Sequence, residues 1–171
     1  MEPKKEKQWI AVYTRARAEC KVVSKLESNG LICFFPQRKS IRQWSDRKKT
    51  IKVALIPSYV FVNIEAGKHH SVFESDAVIK IVTFNNRAAI VRSSEIDLLH
   101  LACEDLAVKV ESDVTNRNGE RVEITEGLFA GYCGIVVGKR EGSKVAVQIQ
   151  ELGLSLVITV PKLEVRLKEA V

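Results

Sequence analysis

The chain has 171 residues, 46% of them hydrophobic and 28% charged, and a net charge of +6. That length allows one domain or two small ones with a real core, and no apolar run approaches the length of a membrane span. The stretch MEPKKEKQ is charged and lacks the apolar core of a signal peptide, so the expected location is the cytoplasm, with no membrane contact. Cys20, Cys33, Cys103 and Cys133 include no C-x-x-C pair, and no histidine pair completes a zinc pattern. They are expected to be free thiols in or near the core, with no metal and no cofactor.

The elements follow in chain order. QWIAVYT predicts a strand with Trp9, Ala11 and Tyr13 on one face and Ile10 and Val12 on the other. Residues 16–28 predict a helix with Val22, Val23 and Leu26 as its stripe and Gly30 as its stop. LICFF predicts a second strand, ended by Pro36, and a basic loop follows. IPSYVFVNI alternates most clearly, with Val60, Val62 and Ile64 opposite Tyr59 and Phe61. Both its faces are apolar, so both should be covered, one of them by a partner. VIKIVTF predicts a short strand. SSEIDLLHLACEDL predicts a second helix, opened by Ser94 with Asp97 and burying Ile96, Leu99, Cys103 and Leu106. Strands and helices with short links imply an α+β sandwich.

Residues 108–118 are polar and lack helical periodicity, and so read as a linker. Beyond them the composition changes. Seven of the nine glycines lie between Gly119 and Gly153, and from Gly119 onward seven basic residues balance seven acids. The whole positive excess therefore precedes Gly119, which suggests two modules with different partners. In the second module GERVEI, GIVVG, KVAVQIQ and LSLVITV predict short strands of a small barrel or sandwich. Gly127, Gly131 and Gly134 would let the chain turn tightly while Phe129 plugs the barrel end.

The run from Gly119 to Val136, G-E-x-V-x-I-x-x-G-x-F-x-G-x-x-G-x-V, resembles the KOW motif through Gly119, Val122, Ile124, Gly127, Phe129, Gly131, Gly134 and Val136. WIAVYTRARAECKVVSKLESNG, followed by P-S-Y-V-F-V at 57–62, resembles the N-terminal (NGN) domain of NusG-type transcription elongation factors. The resemblance covers nearly the whole chain in the family's order. It implies an NGN domain over residues 1–107 with an antiparallel sheet and flanking helices, a linker at 108–118, and an SH3-like KOW β-barrel over 119–171. The implied activity is binding to the clamp helices of elongating RNA polymerase, which suppresses pausing or premature termination without making or breaking a bond. Gln150-Glu151-Leu152-Gly153-Leu154 stands where the housekeeping member carries a Phe-Gly-Arg-type loop. WSDRKK, IPSYVFV and ELGLSLVITVPKLEV resemble the specialised paralogues of RfaH type, and above all the UpxY-type antiterminators of capsular polysaccharide operons.

The resemblance assigns Ile56, Tyr59, Phe61 and Phe84 to the polymerase pocket, with Tyr13 nearby, and His70 and Ser71 to a second polymerase contact. The plainer reading makes the aromatics core and His69-His70-Ser71 the start of a surface helix. His70 with Glu74 supplies two ligands, too few for a metal. Arg15, Arg17 and Lys21 would face the non-template DNA strand, or nascent RNA near the bubble, unless they are a solvated helix face. Residues 38–52 hold seven basic residues against one acid, with Trp44 inside and Arg42, Arg47 and Lys48 around it. Charge with an aromatic suits single-stranded nucleic acid, and an exposed hairpin tip is the alternative. The sequence contains no G-x-S-x-G and no phosphate-binding glycine loop before a helix, so an enzyme is not expected. A general elongation factor and a ribosome-associated KOW protein that binds RNA are the rival readings, and the resemblance implies a ribosomal protein as partner of the KOW domain. A monomer is expected.

Overall fold

The computed structural model describes residues 6–43, 47–112, 119–138, 143–161 and 164–168. The chain divides into two compact units, Met1–Asp97 and Leu98–Val171, so the division falls within a helix. In the first unit β1 (Lys7–Thr14) is followed by α1 (Glu19–Ser28), β2 (Ile32–Phe34), β3 (Gln37–Gln43), β4 (Lys48–Ala54) and β5 (Tyr59–Glu65). A 3-10 helix (His69–Glu74), β6 (Val78–Ile81), β7 (Thr83–Phe84), β8 (Arg87–Ala88), β9 (Ile90–Val91) and α2 (Ser93–Glu104) follow.

The main sheet of this unit runs β2-β5-β1-β6, with β9 also on β1, and its pairs are antiparallel. Period-2 alternation sends Ile10, Val12, Val60, Val62 and Ile64 to one face, where they pack with Val22 and Leu26 of α1 and with Val72, Ala77 and Val78. Fully buried aliphatics of this size contribute about 1.5–3 kcal/mol each, so this layer is the unit's main source of stability. On the other face Ala11 and Phe61 are also fully buried.

α1 is shorter than its periodicity suggests. Residues 16–18 form a turn, with Arg17 in the left-handed region at φ 63°. Its end follows the expectation: the Leu31 N–H reaches the Leu26 carbonyl at 3.1 Å and the Gly30 N–H reaches Glu27 at 2.9 Å, a Schellman closure. The start of α2 is capped by Glu95, whose carboxylate accepts the Arg92 N–H at 2.8 Å. It stops at Glu104, where Asp105 accepts the Ala107 N–H at 2.8 Å and turns the chain. Leu106 is therefore 62% exposed and is not part of the buried stripe. The basic segment takes the hairpin form of the alternative reading, since β3 and β4 form a two-stranded hairpin of their own. Trp44 lies outside the described residues.

In the second unit β10 (Lys109–Ser112), β11 (Arg121–Ile124), β12 (Cys133–Gly138), β13 (Ser143–Ile149), β14 (Leu154–Val160) and β15 (Val165–Leu167) form one sheet in the order β10-β14-β13-β12-β11-β15. Residues 109–112, expected as linker, pair instead with Leu154–Val157 of β14. Residues 113–118 lie outside the described residues. The sheet path ends at β10 and β15, and among the described residues no pairing closes it into a barrel. Gly127 and Gly131 turn the β11–β12 connection at φ 81° and 87°, a region costly for other residues. Gly134 does not turn the chain. A Cβ there would collide with the Ala146 carbonyl and the Val145 side chain of β13.

The four cysteines are free, but Cys20 and Cys133 are exposed, so only Cys33 and Cys103 fit the expectation of a near-core thiol. Burial, and then the Glu27 carboxylate, push the Cys33 thiol up to about 12. A thiol held neutral in the fold loses its advantage as pH rises from its ordinary value through about 12, so this contribution to stability disappears on the alkaline side. Native Cys33 should alkylate with iodoacetamide at pH 8 on the order of a thousandfold more slowly than in urea, a difference that peptide mass spectrometry reads directly. Equal rates would show an open site. Gly134→Ala should cost about 1–3 kcal/mol by overpacking β12 against β13, measured by denaturant unfolding.

Candidate functional site

Two groups of side chains stand out in the first unit. The first is aromatic. Tyr13, near the end of β1, pairs in register with Tyr59, the first residue of β5, and with Lys80 of β6. Three adjacent strands thus place three side chains in a row. The tyrosine rings meet edge to face at 5.5 Å and 83°, and the Lys80 ammonium stands 6.0 Å from the Tyr13 centroid. Both contacts use the ring quadrupole. Burial, and then Tyr13, raise the Tyr59 hydroxyl above its ordinary range. Two residues along the same face, Phe61 lies 6.1 Å from Phe34.

The sequence candidates separate by exposure. Tyr13 and Tyr59 are half-buried and in contact. Ile56 and Phe61 are buried and present no surface of their own. Phe84 is 40% exposed at the tip of the β7–β8 hairpin, whose turn uses Asn85 and Asn86 at φ 49° and 62°. His70 is exposed and Ser71 half-buried, its hydroxyl donating to the Lys68 carbonyl at 2.9 Å. His69, not His70, joins the sheet, through a 2.9 Å hydrogen bond with Gln8.

The second group is the basic corner after β1. Arg15, Arg17 and Lys21 are exposed, and Lys21 meets Asp76 at 3.3 Å. The backbone beneath them is tightly held. The Thr14 N–H donates to the Ser58 carbonyl at 2.9 Å and the Arg15 N–H to Ala77 at 2.9 Å. The Ser58 N–H donates to the buried Glu19 carboxylate at 2.8 Å, and Ser58 itself sits at φ 65°. Sequence reading missed Glu19, Ser58 and Lys80. An acid in the first turn of a helix is too common a signal to single out Glu19.

Beside this corner a cleft of about 590 Å³ separates the start of α1 from the base of the β3–β4 hairpin, with Arg17, Cys20, Phe35, Lys52 and Pro57 among its lining. Arg47 and Lys48 are exposed at the hairpin's far end, and Arg42 lies in β3 opposite Lys49. In the second unit Val122, Ile124, Phe129 and Val136 are buried. A Cβ on Gly119 would strike the Val136 carbonyl, so the motif residues there pack the sheet.

A family model described as transcription termination factor nusG matches residues 7–100, more than half the chain. The chain belongs to the NusG family. Among solved structures it is similar to NusG of Thermotoga maritima, from a study titled for its domain interaction, at 23% identity and TM-score 0.55 over 96% of this chain and 98% of that one. Chains of the MjSpt4:Spt5 complex in conformations A and B match at 20% identity with TM-scores of 0.31 and 0.32, over 94% and 93% of this chain and 97% and 95% of theirs. No curated protein matches. The fold is thus NusG-like, with antiparallel sheets and few helices, in a transcription factor family. No helix among the described residues is long and apolar enough to cross a membrane.

Glu19 yields a direct test. Glu19→Ala strands the buried Ser58 N–H and should cost about 1–3 kcal/mol in urea unfolding, while Glu19→Gln, which keeps an acceptor oxygen, should recover much of that. Equal losses for the two variants would show that the hydrogen bond is not what matters.

Proposed function

We propose that this NusG-type factor binds RNA polymerase during elongation and suppresses pausing or premature termination at a polysaccharide operon, in the manner of the UpxY-type antiterminators. The observation that supports the reading is the Tyr13–Tyr59 corner, a half-buried aromatic pair at a sheet end flanked by Lys80. Desolvated aromatics supply much of the energy of protein interfaces, often about 2 kcal/mol or more for a central ring. In this reading the polymerase clamp helices cover Tyr13, Tyr59 and Phe84, with buried Ile56 and Phe61 as the floor, and His70 and Ser71 make a second contact. Arg15, Arg17 and Lys21 hold the phosphates of the non-template strand, or of nascent RNA, which positions without reading sequence.

Residues 1–107 act as the NGN domain. Residues 119–171 act as the KOW domain, an SH3-like barrel already in the free protein, and carry a ribosomal protein as partner. The factor works in the cytoplasm as a monomer and turns over no substrate.

Tyr59→Ala with Phe84→Ala should abolish co-purification with core polymerase while far-UV circular dichroism stays unchanged. Full retention of that variant on polymerase would refute the clamp-helix reading. Arg15→Ala with Lys21→Ala should lower antitermination in a reconstituted transcription assay and leave polymerase binding intact. Sedimentation with ribosomes in place of polymerase would favour a ribosome-associated role.

A further inference from the structure

In the second unit a thiol and an amine that lie far apart in the chain meet at one end of the sheet. Cys133 opens β12 and is exposed. The Lys168 ammonium, just beyond β15, donates to its sulfur at 3.2 Å, and the thiol donates to the Gly131 carbonyl at 4.0 Å. We propose that Cys133 is a site of reversible mixed-disulfide formation with small disulfides that carry carboxylates.

Three observations carry the proposal. The first is a cation held at the sulfur. The Lys168 N–H donates to the Arg121 carbonyl at 2.9 Å, which seats Lys168 beside β11 while its side chain reaches across to β12. The hydrogen bond to Cys133, and then the charges of Cys133 and Glu123, raise the Lys168 ammonium above its ordinary range. It therefore stays cationic beside the sulfur at neutral pH. The second is space. A groove of about 330 Å³ opens at the same place, with Arg121, Cys133, Gly134, Ala146 and Lys168 in its lining. Gly134 carries no side chain and Ala146 only a methyl, so a small molecule has room there. The third is the sign of the surroundings. Arg121 pairs with Ile135 and Glu123 with Cys133, so exposed Arg121 shares a face with the thiol. Arg166 stands opposite Glu123 on β15. Arg121, Arg166 and Lys168 outweigh Glu123, and such a surrounding attracts an anionic reagent and repels a cationic one.

The other thiols differ. Cys33 and Cys103 are half-buried, and burial holds Cys33 neutral. Cys20 is exposed but meets a neutral amide, Gln37 Nε2, at 3.8 Å. At Cys133 the thiolate attacks one sulfur of the disulfide. A new S–S bond forms, the old one breaks, and the far half leaves as a thiolate. Cys133 is oxidised, the leaving half is reduced, and the thiol proton passes to solvent. Excess thiol reverses the step. The adduct fills the groove and lowers the positive charge at this end of the sheet. The proposal stands independently of polymerase binding.

The test incubates the reduced full chain with oxidised glutathione, hydroxyethyl disulfide or cystamine, which are anionic, neutral and cationic. Mass spectrometry follows the Cys133 and Cys20 peptides, and rates in urea give the unfolded reference for each reagent. Relative to those references, oxidised glutathione should modify native Cys133 on the order of tenfold faster than Cys20. At Cys133 the anionic reagent should lead and the cationic one trail, and 0.5 M KCl should compress that order. Lys168→Gln should slow the glutathione reaction about fivefold, and Lys168→Arg should restore most of it. Should Lys168→Gln disturb the fold, Arg121→Gln should still reduce the preference for the anionic reagent and spare the rate with the neutral one. A Cys133 rate no higher than that of Cys20, a cationic reagent as fast as the anionic one, or an unchanged rate in folded Lys168→Gln would overturn the proposal.

Discussion

The hydrogen bond from the Ser58 N–H to the Glu19 carboxylate is where the first unit is tied together. A buried carboxylate is expensive unless it is hydrogen-bonded, and a left-handed serine is strained unless its surroundings fix it. Each makes the other tolerable. The same serine accepts the Thr14 N–H through its carbonyl, so the end of β1, the first turn of α1 and the start of β5 meet at one residue. Tyr59 follows immediately and falls opposite Tyr13, while Arg15 and Arg17 leave on the other side of the same junction. The aromatic pair and the basic corner are therefore set by one backbone knot, and neither can shift alone.

That arrangement separates two kinds of work. In the proposed reading, apolar contact at the tyrosine corner is short-ranged and would govern how long a complex lasts. The lysines and arginines act over a Debye length and govern how fast charged partners arrive. The ion pair of Lys21 with Asp76 is highly exposed on both sides, so it adds little stability and leaves the lysine available to another anion. The long-range charge is concentrated in the residues before Gly119, and the balanced remainder is free for contacts that do not depend on it.

Much of this was legible in the sequence where a single physical signal dominated. The alternation of IPSYVFVNI required a strand buried on both faces, and Val60, Phe61, Val62 and Ile64 are buried. Val22 and Leu26 required a helix stripe, and Gly30 closes it. What was not legible depends on partners distant in the chain. Residues 16–18 have good helix propensity, yet the tie from Arg15 to Ala77 holds them in a turn. Lysine-rich β3 and β4 are poor strand formers by propensity, so a hairpin there was only one of two readings, and their mutual pairing is what makes them a ribbon. VKVES looked polar enough for a linker because alternation over so few residues is weak evidence until β14 supplies the partner.

The second unit follows a different logic. Its strands are rich in β-branched residues, and β13 and β14 pair over seven consecutive positions, from Ser143 with Val160 to Ile149 with Leu154. Such a hairpin needs neighbours to bury its faces, and β12 can approach only because Gly134 leaves room for the Ala146 carbonyl. The turn glycines Gly127 and Gly131 then return the chain from β11 to β12, closed by the Gly131 N–H on the Ile124 carbonyl at 2.7 Å. Phe129, buried within that return, anchors the loop to the sheet so that it does not stand free in solvent. The KOW-like spacing is thus a packing specification. Its glycines are fixed by where backbone must touch backbone or turn, and its apolar positions by which face is buried. Any partner of this unit must therefore be recognised by side chains outside those positions.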